Sequence, residues 1–183
     1  PDLTSDDVIL TDQLSTGVVP IFDDTFHLTM LSDTGIDLPA HPGVPNNASD
    51  FDLYDAGGTA QTTIVNYDSV TNFLEFDFGQ VVSNDGDSGD VEQIVIVFNV
   101  LVINDAVTNT GDIFANEYEG SFTDGTGATQ NIGPSNTVTI EILEPSVGVG
   151  KTINQTLSIP SGTLIFEAGD TVVYDVVVTN SGN

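Results

Sequence analysis

Residues 171–183 read TVVYDVVVTNSGN, and this stretch decides what kind of fold the chain makes. Val172, Tyr174, Val176 and Val178 fall on one face of an extended strand, and Val173, Asp175, Val177 and Thr179 fall on the other. Side chains alternate at period two, so a strand this apolar predicts burial on both faces. It needs partners, because an edge of unpaired N–H and C=O groups templates aggregation. Ser181-Gly182-Asn183 is a turn signal with no sequence after it, while PDLTSDDVILTDQLSTG at 1–17 supplies a polar lead-in and another apolar strand. Joined tail to head, the two pieces make an ordinary two-strand unit with a loop between. The expectation is that the chain is one period of a longer assembly, cut inside a domain. The last strands of one copy then complete the fold begun by the first strands of the next. Copies in one polypeptide and separate chains exchanging strands read alike at this level.

Composition bounds the rest. Apolar content of 39% is enough for a core in 183 residues. The abundance of Val, Ile and Thr, with few good helix formers and 18 glycines as punctuation, predicts an all-β fold. One basic residue stands against 28 acidic ones, a formal charge of −27. That excludes an electrostatic nucleic-acid interface, which needs lysines and arginines to displace phosphate counterions, and argues against docking on anionic lipid. Self-repulsion at this density calls for screening. Salt shortens the screening length from ~8 Å to ~3 Å at 1 M, and divalent cations bridge carboxylates directly. An extracellular, cell-surface setting that is salty or rich in calcium fits. A plainer alternative is that the carboxylates keep a repetitive surface protein soluble. There are no cysteines, and no apolar run approaches the ~20 residues that cross a bilayer.

In order, strands are predicted at 6–14, 21–31, 62–67, 73–78, 92–103, 116–123 and 136–143, with 92–103 (EQIVIVFNVLVI) as a central strand buried on both faces. Residues 33–50 are a long loop rich in Gly, Pro and Asn, of a length that usually marks function or mobility. A Gly-rich turn is expected at 125–133. Glu144-Pro145-Ser146 reads as a linker, since proline cannot continue a ladder. The expected organisation is a main β-sandwich at 1–143 lacking its first strands, the linker at 144–146, and 147–183 as the first strands of the next sandwich, donated to the adjacent copy.

EPSVGVGKTIN, FEAGDTVVYDVVVTNSGN, DVILTDQL and FNVLVINDAVTNTGDIFANEYEGSFTD together resemble a repeat found in large bacterial and archaeal surface proteins, the family called domain of unknown function 11. Lys151-Thr152 matches its first strand, and Gly169-Asp170 with Tyr174 its second. Asn180-Ser181-Gly182 matches the turn that follows, Thr11-Asp12-Gln13-Leu14 the next strand, and Gly111 with Asn116 a pattern near its end. The order is rotated, with the family's beginning at this chain's end, and 20–60 reads as an insertion. The resemblance implies immunoglobulin-like β-sandwiches strung in tandem on cell surfaces, without catalysis.

For metal, the sharpest candidate is Asn84, Asp85, Asp87 and Asp90 in NDGDSGD, with Glu92 just beyond. Calcium takes six to eight oxygens, and carboxylates on a Gly-rich turn supply several; a solvated acidic hairpin is an equal alternative. Asp6 and Asp7 follow the proposed join, where a cation would rigidify the contact. Asp23-Asp24 and Asp50, Asp52 and Asp55 are weaker clusters. Lys151 and Asn116 are candidates for an isopeptide bond, which needs a neutral amine, an amide carbon within reach and a protonated carboxyl to polarise it. Asp175 or Glu117 would serve as that carboxyl; the commoner arrangement is a lysine paired with nearby carboxylates. His27 and His41 stand alone at no ligand spacing. Asn47-Ala48-Ser49 and Asn154-Gln155-Thr156 match the glycosylation sequon. No nucleophile-elbow or phosphate-loop motif is present.

The functional expectation is a structural repeat of an extracellular filament, stalk or adhesin, and not an enzyme. Its partners are identical copies, head to tail, linked through Val172, Tyr174, Val176 and Val178, with calcium as the candidate ion. The alternative is a module that binds carbohydrate, such as surface glycans, or another surface through the 33–50 loop. That reading predicts exposed aromatics beside the loop.

Overall fold

The computed structural model describes residues 3–33, 35–84, 92–103, 109–156, 158 and 166–181. Among these there is no helix, and the chain is all-β, with several antiparallel sheets. Two compact units divide it: residues 1–108 with 113–140, and residues 109–112 with 141–183.

In the first unit, β1 (Leu3–Gln13) and β7 (Phe73–Ser83) are the two longest strands and pair antiparallel through most of their length. On the far side of β1 lies β11 (Tyr118–Thr123), followed by β12 (Thr129–Ile132). On the far side of β7, β4 (Ile36–Asp37) and β6 (Val65–Asp68) pair with different parts of the strand. The pairing of β1 with β7 slips at Asp7, which has φ 51°, and Gly79, with φ 57°, lies at the same place on the partner strand. This is a bulge, where extra twist requires positive φ. At Gly120, opposite Leu10, a Cβ would stand 2.5 Å from the Ile9 carbonyl oxygen, so glycine alone lets β11 lie this close to β1.

A second sheet has β3 (His27–Leu31) between β5 (Phe51–Asp52) and β8 (Gln93–Val97). One core draws on both sheets. Leu74, Phe76 and Phe78 of β7 meet Leu28 and Met30 of β3, with Phe26, Ile36, Leu38, Val44, Ala48, Leu53 and Ile64 closing it. Phe26 is wholly enclosed, stacked 4.8 Å from Phe98 and tilted against Phe76 at 6.1 Å.

The predicted loop at 33–50 is therefore part of the core: it contains β4 and buries Ile36, Leu38, Val44 and Ala48. Its prolines and glycines shape a path along which small apolar side chains point inward. The predicted central strand at 92–103 is corrected too. It breaks at Phe98-Asn99 into β8 and β9 (Val100–Val102), and Val97, Leu101 and Val102 are exposed. Strand β12 occupies part of the predicted turn at 125–133.

Two ribbons complete the first unit. Strand β2 (Val18–Pro20) pairs with β9, and β10 (Ile113–Asn116) pairs with β13 (Val138–Glu141). Asn72, at φ 57°, fixes the approach to β2: its Nδ2 donates to the carbonyls of Leu14, Ser15 and Val18, and its Oδ1 accepts from the Tyr67 hydroxyl.

In the second unit, β14 (Val147–Ile153) and β15 (Tyr174–Asn180) pair along their whole length, from Val147 opposite Asn180 to Ile153 opposite Tyr174. The stretch 141–144 is tied to 109–112 by Ile142 N to Asp112 O at 2.9 Å and Glu144 N to Thr110 Oγ1 at 2.9 Å.

Phe26→Ala should cost about 3–5 kcal/mol by cavity formation. Val176→Ala on the exposed ribbon should stay within about 0.5 kcal/mol in the dilute monomer. Denaturant unfolding of both variants checks the contrast, and equal losses would contradict this division into core and surface.

Candidate functional site

The apolar strand that promised burial on two faces is exposed. Tyr174, Val176, Val177 and Val178 of β15 are 50–66% accessible, and Val147 and Val149 opposite them 63–70%. Val172, just before β15, is half-buried. Lys151 is exposed on β14, and its Nζ lies 4.0 Å from the Tyr174 ring centroid. The expected carboxylate pairing gives way to a cation–π contact, with no carboxylate in ion-pair range among the described residues.

The first unit carries an apolar groove. Val18 of β2 and Val100 of β9 form one wall, and Phe114 of β10 with Val138 and Ile140 of β13 the other; Phe98 and Leu14 line it as well. The two ribbons share no ladder. Neighbouring apolar side chains are bare: Leu101, Ile113, Val138 and Ile140 are each more than half exposed.

Asn116, at the end of β10, also lines the groove. Its Nδ2 donates to Asp12 Oδ2 at 2.9 Å, a pairing across more than a hundred residues. Asp12 is 1% exposed. Burial pushes its carboxyl above the ordinary carboxylate range, opposed by hydrogen bonding from Asn116 and then Tyr118. Burial, and then the Asp12 charge, push the Tyr118 hydroxyl up in turn. Asp12 Oδ1 and Asn116 Oδ1 are enclosed without a hydrogen-bond partner among the described residues. The sequence reading matched Asp12 to a strand motif but did not see it as the acid beside Asn116. The two carboxyls it named instead lie elsewhere. Glu117 accepts from Thr137 Oγ1 at 3.0 Å, and Asp175 accepts from Asn154 Nδ2 at 3.0 Å. A signal was present: Asp12 sits between Thr11 and Gln13 in a strand otherwise reading VIL–L, on the inward period.

Asp85, Asp87 and Asp90 lie outside the described residues. The Asn84 amide N–H donates to Gly35 O, Asp6 Oδ1 accepts from Gln80 Nε2 at 2.6 Å, and Asp7 Oδ2 takes a 3.5 Å contact from Thr123 Oγ1. Both Glu92 carboxylate oxygens are enclosed and unpartnered. No three His, Asp or Glu side chains are grouped to hold a metal among the described residues.

Much of the acidity instead closes turns. Asp23 accepts from Thr25, Asp55 from the Gly57 and Thr59 amides, Asp68 from Val70 and Thr71, and Asp124 from Thr126, Ala128 and Gln130. These bonds favour the charged form and lower each carboxyl, Asp124 to about 2. His27 Nδ1 lies 2.9 Å from Asp52 Oδ1 and 3.5 Å from Asp50 Oδ1. His41 is buried, with Nε2 2.9 Å from the Asp77 carbonyl oxygen. The Thr63 hydroxyl lies 3.4 Å from His41 Nδ1, and His27 Nδ1 is set against Asp52 and Asp50 only, among the described residues.

No family model, curated protein or solved structure matches the chain.

Asp12 and Asp124 should act on stability with opposite sign. The raised Asp12 carboxyl contributes stability at acid pH that is lost as pH rises through its folded value. The lowered Asp124 contributes stability at neutral pH that is lost as pH falls toward about 2. Relative to the parent, Asp12→Asn should gain stability with rising pH and Asp124→Asn should lose it. Denaturant melts from acid to neutral pH test this, and parallel curves for the two variants would contradict it.

Proposed function

We propose that the chain is a structural repeat unit of an extracellular filament, stalk or adhesin. In this reading it is an immunoglobulin-like β-sandwich repeat whose groove is completed by the β14–β15 ribbon of an identical copy, head to tail. One observation carries the reading: half of the fourteen positions of β14 and β15 bear large apolar side chains, yet the ribbon is exposed on both faces. A two-stranded ribbon is marginal in water by itself, and each buried valine contributes about 1.5–3 kcal/mol. The groove between the β2–β9 and β10–β13 ribbons supports the same reading from the other side. It is apolar, and it is flanked by strand edges that carry no ladder partner among the described residues. Strand addition satisfies both needs at once, since backbone pairing gives affinity and alternate side chains give register. The resemblance to tandem surface repeats and the extreme acidity support a setting outside the cell, where salt screens charge. A glycan-binding module has less behind it. The 33–50 segment sends Ile36, Leu38, Val44 and Ala48 into the core, and the rings of Phe22, Phe26 and Tyr54 pack against one another.

Calcium belongs to the proposal through Glu92, whose enclosed carboxylate has no donor and follows the acidic run beginning at Asn84. Calcium should raise the melting temperature of the parent, and Glu92→Gln should blunt the rise. Identical melts in calcium and in chelator remove the ion from the proposal.

Charged substitutions on the paired residues Val149 and Val178 test the linkage. Val178→Asp should abolish end-to-end oligomers, seen by light scattering and electron microscopy, while unfolding of the first unit stays unchanged. Val149→Asp should do the same. A parent that remains monomeric at high concentration and high salt would sink the repeat reading.

A further inference from the structure

The Asp12–Asn116 hydrogen bond ties β1 to the end of β10, yet it leaves an acceptor over on each side chain. An enclosed oxygen without a donor costs about 1–3 kcal/mol, and this hydrogen-bonded pair leaves two, Asp12 Oδ1 and Asn116 Oδ1. Asn116 lines the groove together with Phe98, Val100, Phe114 and Ile140, and Asp12 stands directly behind it through the bond to Asn116 Nδ2. A polar group entering with the occupant of that groove would satisfy both. The needed partner is a donor that tolerates an apolar site beside a carboxyl. The chain has one lysine and no arginine, and that lysine is on the ribbon proposed to enter.

We propose that Asn116 and Asp12 form the acceptor half of an intermolecular isopeptide bond, whose amine is Lys151 of a second copy of this chain. The inference rests on the strand-completion reading above and adds a covalent bond to it. Once the ribbon is seated and water excluded, the Lys151 ammonium passes a proton to the Asp12 carboxylate, because two neutral groups are favoured over two desolvated charges. The neutral Nζ then attacks Cγ of Asn116, forming the N–C bond while Asp12 hydrogen-bonds the amide. Asp12 carries a proton from Nζ to Nδ2, the atom it already contacts at 2.9 Å. The Cγ–Nδ2 bond breaks and ammonia leaves. A primary amide and an amine become a secondary amide and ammonia, Asp12 ends protonated, and no oxidant or other reactant is needed. Proximity supplies most of the rate, as it does for any intramolecular amide exchange held in line. The bond also explains why burial of an acid is tolerated at this position: its protonated form is the working one.

The test uses the full chain, assembled at high concentration and then boiled in detergent. The expected result is a ladder of multimers, each lighter than the sum of its chains by one ammonia per bond. Peptide mapping should join Lys151 to Asn116, and trypsin, whose one site in this chain follows Lys151, should no longer cut there. Lys151→Ala, Asn116→Ala and Asp12→Asn should each abolish the ladder. Asp12→Asn keeps the shape of the side chain, and its assemblies should still form and be seen by light scattering, so loss of chemistry is separated from loss of fold. Assemblies that dissolve wholly into chains of unaltered mass overturn the covalent bond and leave strand completion standing. A monomer that has lost ammonia overturns the intermolecular form. Absence of any assembly overturns both readings together.

Discussion

The pairing of β14 with β15 imposes the constraint on which the rest turns. Seven residues of each strand are in register, which satisfies the backbone groups on the inner edges and leaves the outer edges and the apolar faces open. Valines and a tyrosine on both faces remain in water. Backbone satisfaction without burial is the weaker half of sheet stability, because a ladder bond largely exchanges for bonds to water, whereas apolar area does not. The first unit has the converse surplus, with ribbons whose strand edges and apolar side chains flank an unfilled groove. Each deficit is of the kind the other would remedy.

Acidity is handled locally rather than by ion pairing. With one basic side chain against 28 acidic ones, carboxylates cannot be neutralised in pairs, and those of Asp23, Asp55, Asp68 and Asp124 are turned onto backbone and hydroxyl donors within the next few residues. Such bonds stabilise the charged form and rigidify turns between short strands. A fold with many connections thereby draws local order from the same residues that burden it with repulsion. Asp12, buried in a strand with one oxygen left over, and Glu92, with both oxygens enclosed, are handled otherwise.

The β class and many strands were legible because period-two patterning in 73–78 and 174–180 is strong. The loop at 33–50 was misread because proline and glycine content speaks to local conformation and is silent on burial; Ile36, Leu38, Val44 and Ala48 turn inward without any periodicity to announce it. The continuous apolar run at 92–103 was misread for the opposite reason. Hydrophobicity on both faces was taken to mean a central position, yet β8 and β9 divide at Phe98-Asn99 and leave Val97 and Leu101 exposed. At the candidate site, Lys151 and Asn116 were legible as types, while the acid beside Asn116 was not. Asp12 comes to it across sheet register, through β1 and β11, and register is a tertiary property that spacing along the chain does not carry.

The position of the lone lysine is the final piece of the argument. A cation kept to temper a charge of −27 would sit among carboxylates, where Coulomb attraction is greatest. Lys151 instead stands on the exposed apolar ribbon, over the Tyr174 ring at 4.0 Å, a contact worth about 0.5–1 kcal/mol at such a surface. That placement does little for the chain's own electrostatics and much for association. In the proposed assembly the ribbon carries the chain's one lysine, with Asp175 on the paired strand, toward a partner of formal charge −27. Once seated in an apolar groove the same charge becomes a liability unless it is neutralised, and a buried carboxyl able to take the proton is the cheapest remedy. Attraction in water and neutralisation in the groove are successive demands on one side chain, and lysine meets both where arginine, which holds its proton, cannot.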